Sequence, residues 1–213
     1  MSHFLYRWIR RNVSELLFDR RYGVHTSGRV DLTELGLAHD ERVYYIASNW
    51  RTLGRALQRY DIRPDDVFID VGSGMGRMVI EASRFPFKRV IGVELASELH
   101  SIAQRNVRRA RGHARCAEIE LVNSDILDYD FPDDVTFIYM FNPFRGAIFR
   151  GAIDNLIRSL DRNPRTVHLI YLNPFEEPYL LSTQRFQVDG ADKGARLYRS
   201  VDRVATSKIH SSH

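Results

Sequence analysis

The sequence predicts an α/β fold: a doubly wound, mostly parallel sheet with helices on both faces, preceded by N-terminal helices. Three observations predict it. Apolar runs of strand length alternate with helix-length segments from residue 67 onward. The run Phe68-Ile69-Asp70-Val71 passes directly into the glycine-rich turn Gly72-Ser73-Gly74-Met75-Gly76, and a second run, Val90-Ile91-Gly92-Val93, ends in Glu94. Continuous apolar strands of this kind are buried on both faces, as parallel strands are. The expectation is a single domain over 1–213, with an N-terminal helical cap (1–62) on an α/β core (63–213), and the 44% hydrophobic content suffices for that core.

Along the chain, residues 3 to 20 place Leu5, Trp8, Val13, Leu16 and Leu17 near helical spacing, with Arg7, Arg10 and Arg11 on other faces. This amphipathic helix is expected to cover the sheet or a second copy of the chain. Tyr22 to Gly28 breaks the pattern as a loop. A helix is expected from Ser48, whose hydroxyl suits an N-cap; it buries Trp50, Leu53, Leu57 and Tyr60, stops before Pro64, and leaves Arg51, Arg55 and Arg59 on a solvated side. Strands follow at Val67–Val71, Arg89–Glu94, Glu118–Val122, Val135–Phe141 and Thr166–Leu172. Helices alternate with them at Gly76–Arg84, Ser97–Arg111 (burying Leu99, Ile102, Ala103, Val107 and Ala110) and Ala147–Leu160.

The formal charge is +4, carried almost wholly by arginine, since lysine occurs only at Lys88, Lys193 and Lys208. There is no zinc-finger spacing, no basic tract interleaved with aromatics and no RNA-binding signature, so no nucleic-acid partner is expected. One cysteine, Cys116, excludes an internal disulfide and a cysteine-based metal cluster; no metal site is expected. No run approaches the ~18 apolar residues of a membrane span. The stretch Met1 to Arg7 has no signal-peptide block, and a cytoplasmic protein is the expectation.

In an open parallel sheet, ligands bind beyond the carboxyl ends of the strands at the point where strand order reverses. The first core strand delivers Asp70, Gly72, Ser73, Gly74 and Gly76 there, and the second delivers Glu94, 24 residues past Asp70, where a carboxylate accepts hydrogen bonds from ribose hydroxyls. A dinucleotide fingerprint needs a third glycine where Arg77 stands. The charge of Asp70 also suits a cationic amine and repels a phosphate. The resulting D-x-G-x-G-x-G pattern resembles motif I of the class I S-adenosyl-L-methionine (SAM) methyltransferases.

That resemblance implies a Rossmann-like methyltransferase fold of seven strands, with Arg185 to Val188 and Arg196 to Val204 as a closing antiparallel hairpin, and SAM as cofactor. It implies that Asp125 receives the adenine amino group, with Ile126 or Leu95 beside the ring. The run Phe68 to Arg77 with Ile91-Gly92-Val93-Glu94 is similar to the core of the non-SET histone-lysine methyltransferases, over about residues 44 to 145. It places Tyr45 and Ser48 in a cofactor-covering loop and says little about the acceptor, since small bacterial relatives look alike in this core and need not modify histones.

The fourth and fifth strands end alike, in Asn142-Pro143-Phe144 and Asn173-Pro174-Phe175. Proline ends a strand, which accounts for the prolines alone. The asparagines and phenylalanines are expected to ring the pocket mouth: Asn142 beside the reacting methyl, with Phe144, Asn173 and Phe175 against the acceptor. Asn142-Pro143-Phe144 resembles the N-P-P-Y or N-P-P-F motif of amino-group methyltransferases with one proline missing. A hydroxyl acceptor needs a proton acceptor, for which Glu176 and Glu177 are candidates, with Asp125 if it is free of the adenine. His168, early in its strand, is expected to be a packed core histidine. The reading is a metal-independent O-methyltransferase for a small polar acceptor such as a sugar or glycan, with a homodimer through the N-terminal helix as the suggested assembly. The alternatives are an N-methyltransferase for a protein lysine or small amine, and a non-catalytic SAM-binding partner subunit.

Overall fold

A computed structural model describes residues 16–30, 41, 45–46, 48–192 and 194–202. Residues 16–22 are helical (α1). Two short strands, β1 (Arg29–Val30) and β2 (Tyr45–Ile46), pair antiparallel apart from the main sheet, and α2 (Trp50–Leu57) follows. The core then runs β3 (Val67–Val71), α3 (Arg77–Ala82), β4 (Arg89–Glu94), α4 (Ser97–Ala110), β5 (Glu118–Asn123), β6 (Phe137–Phe141), α5 (Gly146–Arg162), β7 (His168–Leu172), α6 (Glu177–Ser182), β8 (Phe186–Asp192) and β9 (Ala195–Ser200).

Seven strands form one sheet in the order β5-β4-β3-β6-β7-β9-β8. The five strands from β5 to β7 are parallel, and β9 pairs antiparallel with both β7 and β8. The closing hairpin is therefore present, with β8 longer than expected and irregular between Val188 and Gly190. The chain steps outward from β3 to β5 and returns to β6 on the other side of β3, which opens a crevice between the ends of β3 and β6.

All five β3 residues are buried, and its alternation divides the core. Val67, Ile69 and Val71 pack with Phe149, Leu156 and Leu180 from α5 and α6, while Phe68 packs with Phe18, Leu57, Val79 and Val107 from the helices of the other face. Two local expectations change. Leu16 and Leu17 are exposed, and α1 instead buries Phe18 and Tyr22, because α2 and α3 meet that side of the helix. Asn49, not Ser48, caps α2, its side chain accepting from the Arg51 N–H at 3.0 Å. The rest of the proposed helix over residues 3 to 20, and the pairing proposed through it, lie outside the described residues. Arg51 and Arg59 are exposed, as a solvated side requires, while the half-buried Arg55 reaches Asp192 on β8 at 3.3 Å.

Candidate functional site

A cavity of about 380 Å³ lies at the carboxyl ends of β3, β4, β6 and β7, within the range usual for small-molecule sites. Its first wall is the turn after β3. Gly72, Gly74 and Gly76 have φ of 76°, 54° and 83°, a left-handed alternation that side chains resist. The N–H groups of Gly72 and Ser73 both donate to the Val93 carbonyl at 2.9 Å, which binds the turn to β4. A Cβ on Gly72 would sit 2.7 Å from the Pro143 side chain, so the turn and the loop after β6 touch where no side chain fits.

The second wall is acidic. Glu94, 7% exposed, accepts from the Gly74 N–H at 2.7 Å and from the Ala96 N–H at 2.9 Å, clamping the turn from the neighbouring strand. Asp70 is 2% exposed. Burial pushes the Asp70 carboxyl well above the usual carboxylate range, and the Glu94 charge adds to this. Burial also raises Glu94, opposed by the backbone N–H groups of Ala96, Gly74 and Leu95. Two buried carboxylates that resist ionisation invite a cation and hydroxyl donors. Leu95, Asp125 and Ile126 continue this wall, and Asp125 accepts from the Leu127 N–H at 3.0 Å.

The third wall comes from the two Asn-Pro-Phe loops. Asn142 and Asn173 both adopt left-handed backbone, with φ of 42° and 49°, a conformation asparagine tolerates better than most residues. Each asparagine thus has a conformational reason to precede its proline. Asn142 has a second feature: it is 5% exposed and its Oδ1 has no hydrogen-bond partner. Ser73 Oγ, also on the cavity wall, is likewise buried without a partner, and burial pushes the neighbouring Tyr139 phenol far up, opposed by the Ser48 hydroxyl. Buried polar atoms are normally paired, so this group marks where a ligand's donors and acceptors belong.

At the mouth, Phe144 is buried against Phe149, whereas Phe175 is 61% exposed under the Arg145 guanidinium, 4.4 Å from its ring centre. Ser48 and Asn173 also line the cavity. Gly74 and Gly76 shape the turn and are not on the cavity wall, and of Tyr45 only the backbone, in β2, is described.

The two proposed bases are elsewhere. Glu176 accepts from the Gly146 N–H at 2.9 Å, capping α5, and Glu177 accepts from Arg196 at 3.1 Å and from the Tyr198 hydroxyl at 2.9 Å. Neither lines the cavity, because the chain turns into α6 directly after Phe175 and carries both side chains away. His168 stacks on Tyr60 and Phe137 at the opposite end of the sheet, as expected.

Sequence reading missed the role of Arg77. The residue replacing the third dinucleotide glycine is 2% exposed and donates to Thr26 Oγ1 at 2.7 Å, Ser27 Oγ at 2.9 Å and the Ser48 carbonyl at 3.2 Å. It ties the N-terminal segments to the start of α3. Its partners lie 29 to 51 residues upstream, where no local motif points to them. Glu41 was missed as well: its carboxylate accepts from the Ala147 and Ile148 N–H groups at 2.9 and 3.1 Å, at the start of α5.

Residues 41–137 match a family model described as histone methylation protein DOT1. A histone-lysine N-methyltransferase of Dictyostelium discoideum is 29% identical over 47% of the chain, which spans 6% of that relative. An rRNA N(6)-adenosine-methyltransferase of Caenorhabditis elegans is 34% identical over 40% of the chain and 40% of the relative. The chain thus spans well under half the length of these curated relatives. Among solved structures, an RNA methyltransferase from Salinibacter ruber in complex with S-adenosyl-L-homocysteine superposes with a TM-score of 0.53 at 21% identity, covering 73% of this chain and 92% of that one. A ribosomal protein L11 methylase from Lactobacillus delbrueckii gives 0.54 at 21% identity, covering 74% and 81%.

Proposed function

We propose that this chain, a class I SAM-dependent methyltransferase by its fold and its cofactor motif, methylates the nitrogen of an amino group. The cavity fits SAM: the Gly72 cradle admits close approach, and two buried carboxylates face a ligand with a cationic amine and ribose hydroxyls. Glu94 would hold the ribose, Asp70 would favour the amino end, and Asp125 with Ile126 and Leu95 would take the adenine. SAM supplies an electrophilic methyl carbon on a sulfonium.

The observation that carries the nitrogen reading is the buried, unpaired Asn142 Oδ1. A neutral amino group can donate one N–H to this oxygen and keep its lone pair for attack, whereas a lone hydroxyl also has to lose its proton to a base. Of the three candidates for that base, Glu176 and Glu177 are held at the α5 N-terminus and on β9, and Asp125, on the cavity wall, would be taken by the adenine. The reading therefore moves from the hydroxyl of a sugar to nitrogen. The names of the relatives support this, since both the histone-lysine and the N(6)-adenosine methyltransferases act on nitrogen. Phe144, Phe175 and Arg145 would exclude water and seat the acceptor, and Asn173 would shape the second loop.

The test incubates the chain with methyl-tritiated SAM and separate RNA, protein and glycan fractions, then identifies the methylated atom by mass spectrometry after digestion. An N-methyl product is expected. An O-methyl sugar as the sole product would overturn the nitrogen reading while leaving the SAM assignment standing.

A further inference from the structure

We propose that the face built on the C-terminal half of α4 and the turn after it is a docking surface for the phosphate backbone of RNA. Arg105, Arg108, Arg109, Arg111, His113 and Arg115 are all exposed. No acidic residue occurs between Glu98 and Glu118. Among the described residues none of these five arginines forms an ion pair, in contrast to Arg84, Arg89, Arg162 and Arg185.

Tertiary structure enlarges the patch. The Tyr22 ring meets His113 edge-on with centroids 5.1 Å apart, and the exposed Arg21 lies over that ring at 5.6 Å, which brings it beside the turn. The Arg115 N–H donates to the Ser83 carbonyl at 2.7 Å, fixing the turn to the end of α3. The buried carboxylate of Glu81 pairs with Arg84 at 2.9 Å. At 1.5 Å per residue Arg105 to Arg109 spans about 6 Å of α4, and the 3-10 turn at Arg111–His113 carries the row on to Arg115.

The chemistry favours RNA among polyanions. Guanidinium forks match phosphate oxygens in a paired geometry. Of the exposed large apolar side chains among the described residues none lies on α4 or its turn; Leu17, on α1, is one turn before Arg21, so the vesicle arm below separates a bilayer from RNA. α4 packs against β5 and α3 and leaves Arg105, Arg108 and Arg109 exposed on its outer side, where phosphates can be met without entering a groove, the mode of backbone contact that A-form RNA allows. Leu99 of the first turn of α4 lines the cavity, and Arg108 lies about 16 Å further along the helix from Ser97. The surface stands independently of the nitrogen reading; with both, the acceptor amino group is carried on RNA.

The test measures fluorescence anisotropy of a labelled 24-nucleotide RNA hairpin with the full chain between 50 and 200 mM salt. Contact with about four phosphates should weaken binding about a hundredfold over that range. Arg108→Glu with Arg109→Glu should weaken it at least tenfold at 100 mM salt and flatten the salt dependence, with the melting temperature and its shift by SAM unchanged; Arg108→Gln with Arg109→Gln repeats the test without new charge. Unchanged RNA affinity in both pairs overturns the proposal. So does equal or tighter binding of a DNA duplex, a polyglutamate peptide or phosphatidylglycerol vesicles.

Discussion

The guanidinium of Arg77 lies 3.6 Å from the carboxylate of Asp19, and Asp19 in turn accepts from the backbone N–H groups of Thr26 and Ser27 at 3.0 Å. One buried cation thus organises the loop after α1 and Ser48, two residues before α2, around the first turn of α3. Arg77→Met should lower the unfolding free energy by about 3 kcal/mol, since removing one partner strands the other groups without a counterpart. Arg77→Lys should not restore it, because an ammonium cannot serve three acceptors in the directions the planar fork does. Denaturant unfolding with a loss below 1 kcal/mol in Arg77→Met would reject this role.

Asp70 sets ligand binding against stability. Its folded-state pKa lies well above the ordinary value of 3.8, so the folded protein keeps the proton to a higher pH than the unfolded chain does. Its contribution is therefore favourable below the ordinary value and is lost as pH rises toward the raised one. Asp70→Asn should leave stability unchanged near pH 3, stabilise the ligand-free protein at pH 7, and weaken SAM binding at least tenfold. Melting temperatures across pH read the first effect and calorimetry the second; a variant less stable at pH 7 contradicts it.

Glu94 serves the turn as well as the ligand. Glu94→Ala should weaken SAM binding by about 1.5 to 3 kcal/mol, the scale of charge-assisted hydrogen bonds, and also loosen the turn by freeing the Gly74 and Ala96 N–H groups. Amide hydrogen exchange at Gly74 should therefore rise in the ligand-free variant. Unchanged exchange together with unchanged affinity would remove Glu94 from both roles.

Asn142 combines a strained backbone with an unpaired oxygen, and two substitutions separate them. Asn142→Gly relieves the left-handed φ of 42° and removes Oδ1, so it should keep stability and keep SAM affinity within about threefold. Turnover on the acceptor should fall at least tenfold, a barrier increase of about 1.4 kcal/mol. Asn142→Ala should show the same turnover loss and an added stability loss of about 1 kcal/mol from strain. Full turnover per folded molecule in Asn142→Gly would leave Asn142 with a conformational role only.

The sequence by itself determined the sheet and one half of the site. Val67 to Val71, the glycine turn and Glu94 are contiguous or one βαβ unit apart, so periodicity and spacing locate them, and parallel pairing then brings Asp70 beside Gly92 and the turn beneath Val93. The twin Asn-Pro-Phe loops were legible as strand ends for the same local reason. Tertiary structure decided what depends on side-chain direction and on partners distant in sequence. Glu176 and Glu177 stand next to Phe175 in the chain, yet α6 turns them toward α5 and β9, because a helix start rotates successive residues about its axis. Arg77 reads as a missing glycine until Asp19, Thr26 and Ser48 fold around it, and the basic ridge of α4 gains Arg21 only through the contact of Tyr22 with His113. Spacing along the chain fixes what a residue's neighbours are within an element; which face meets which is fixed by packing, where burial of apolar area outweighs any local preference.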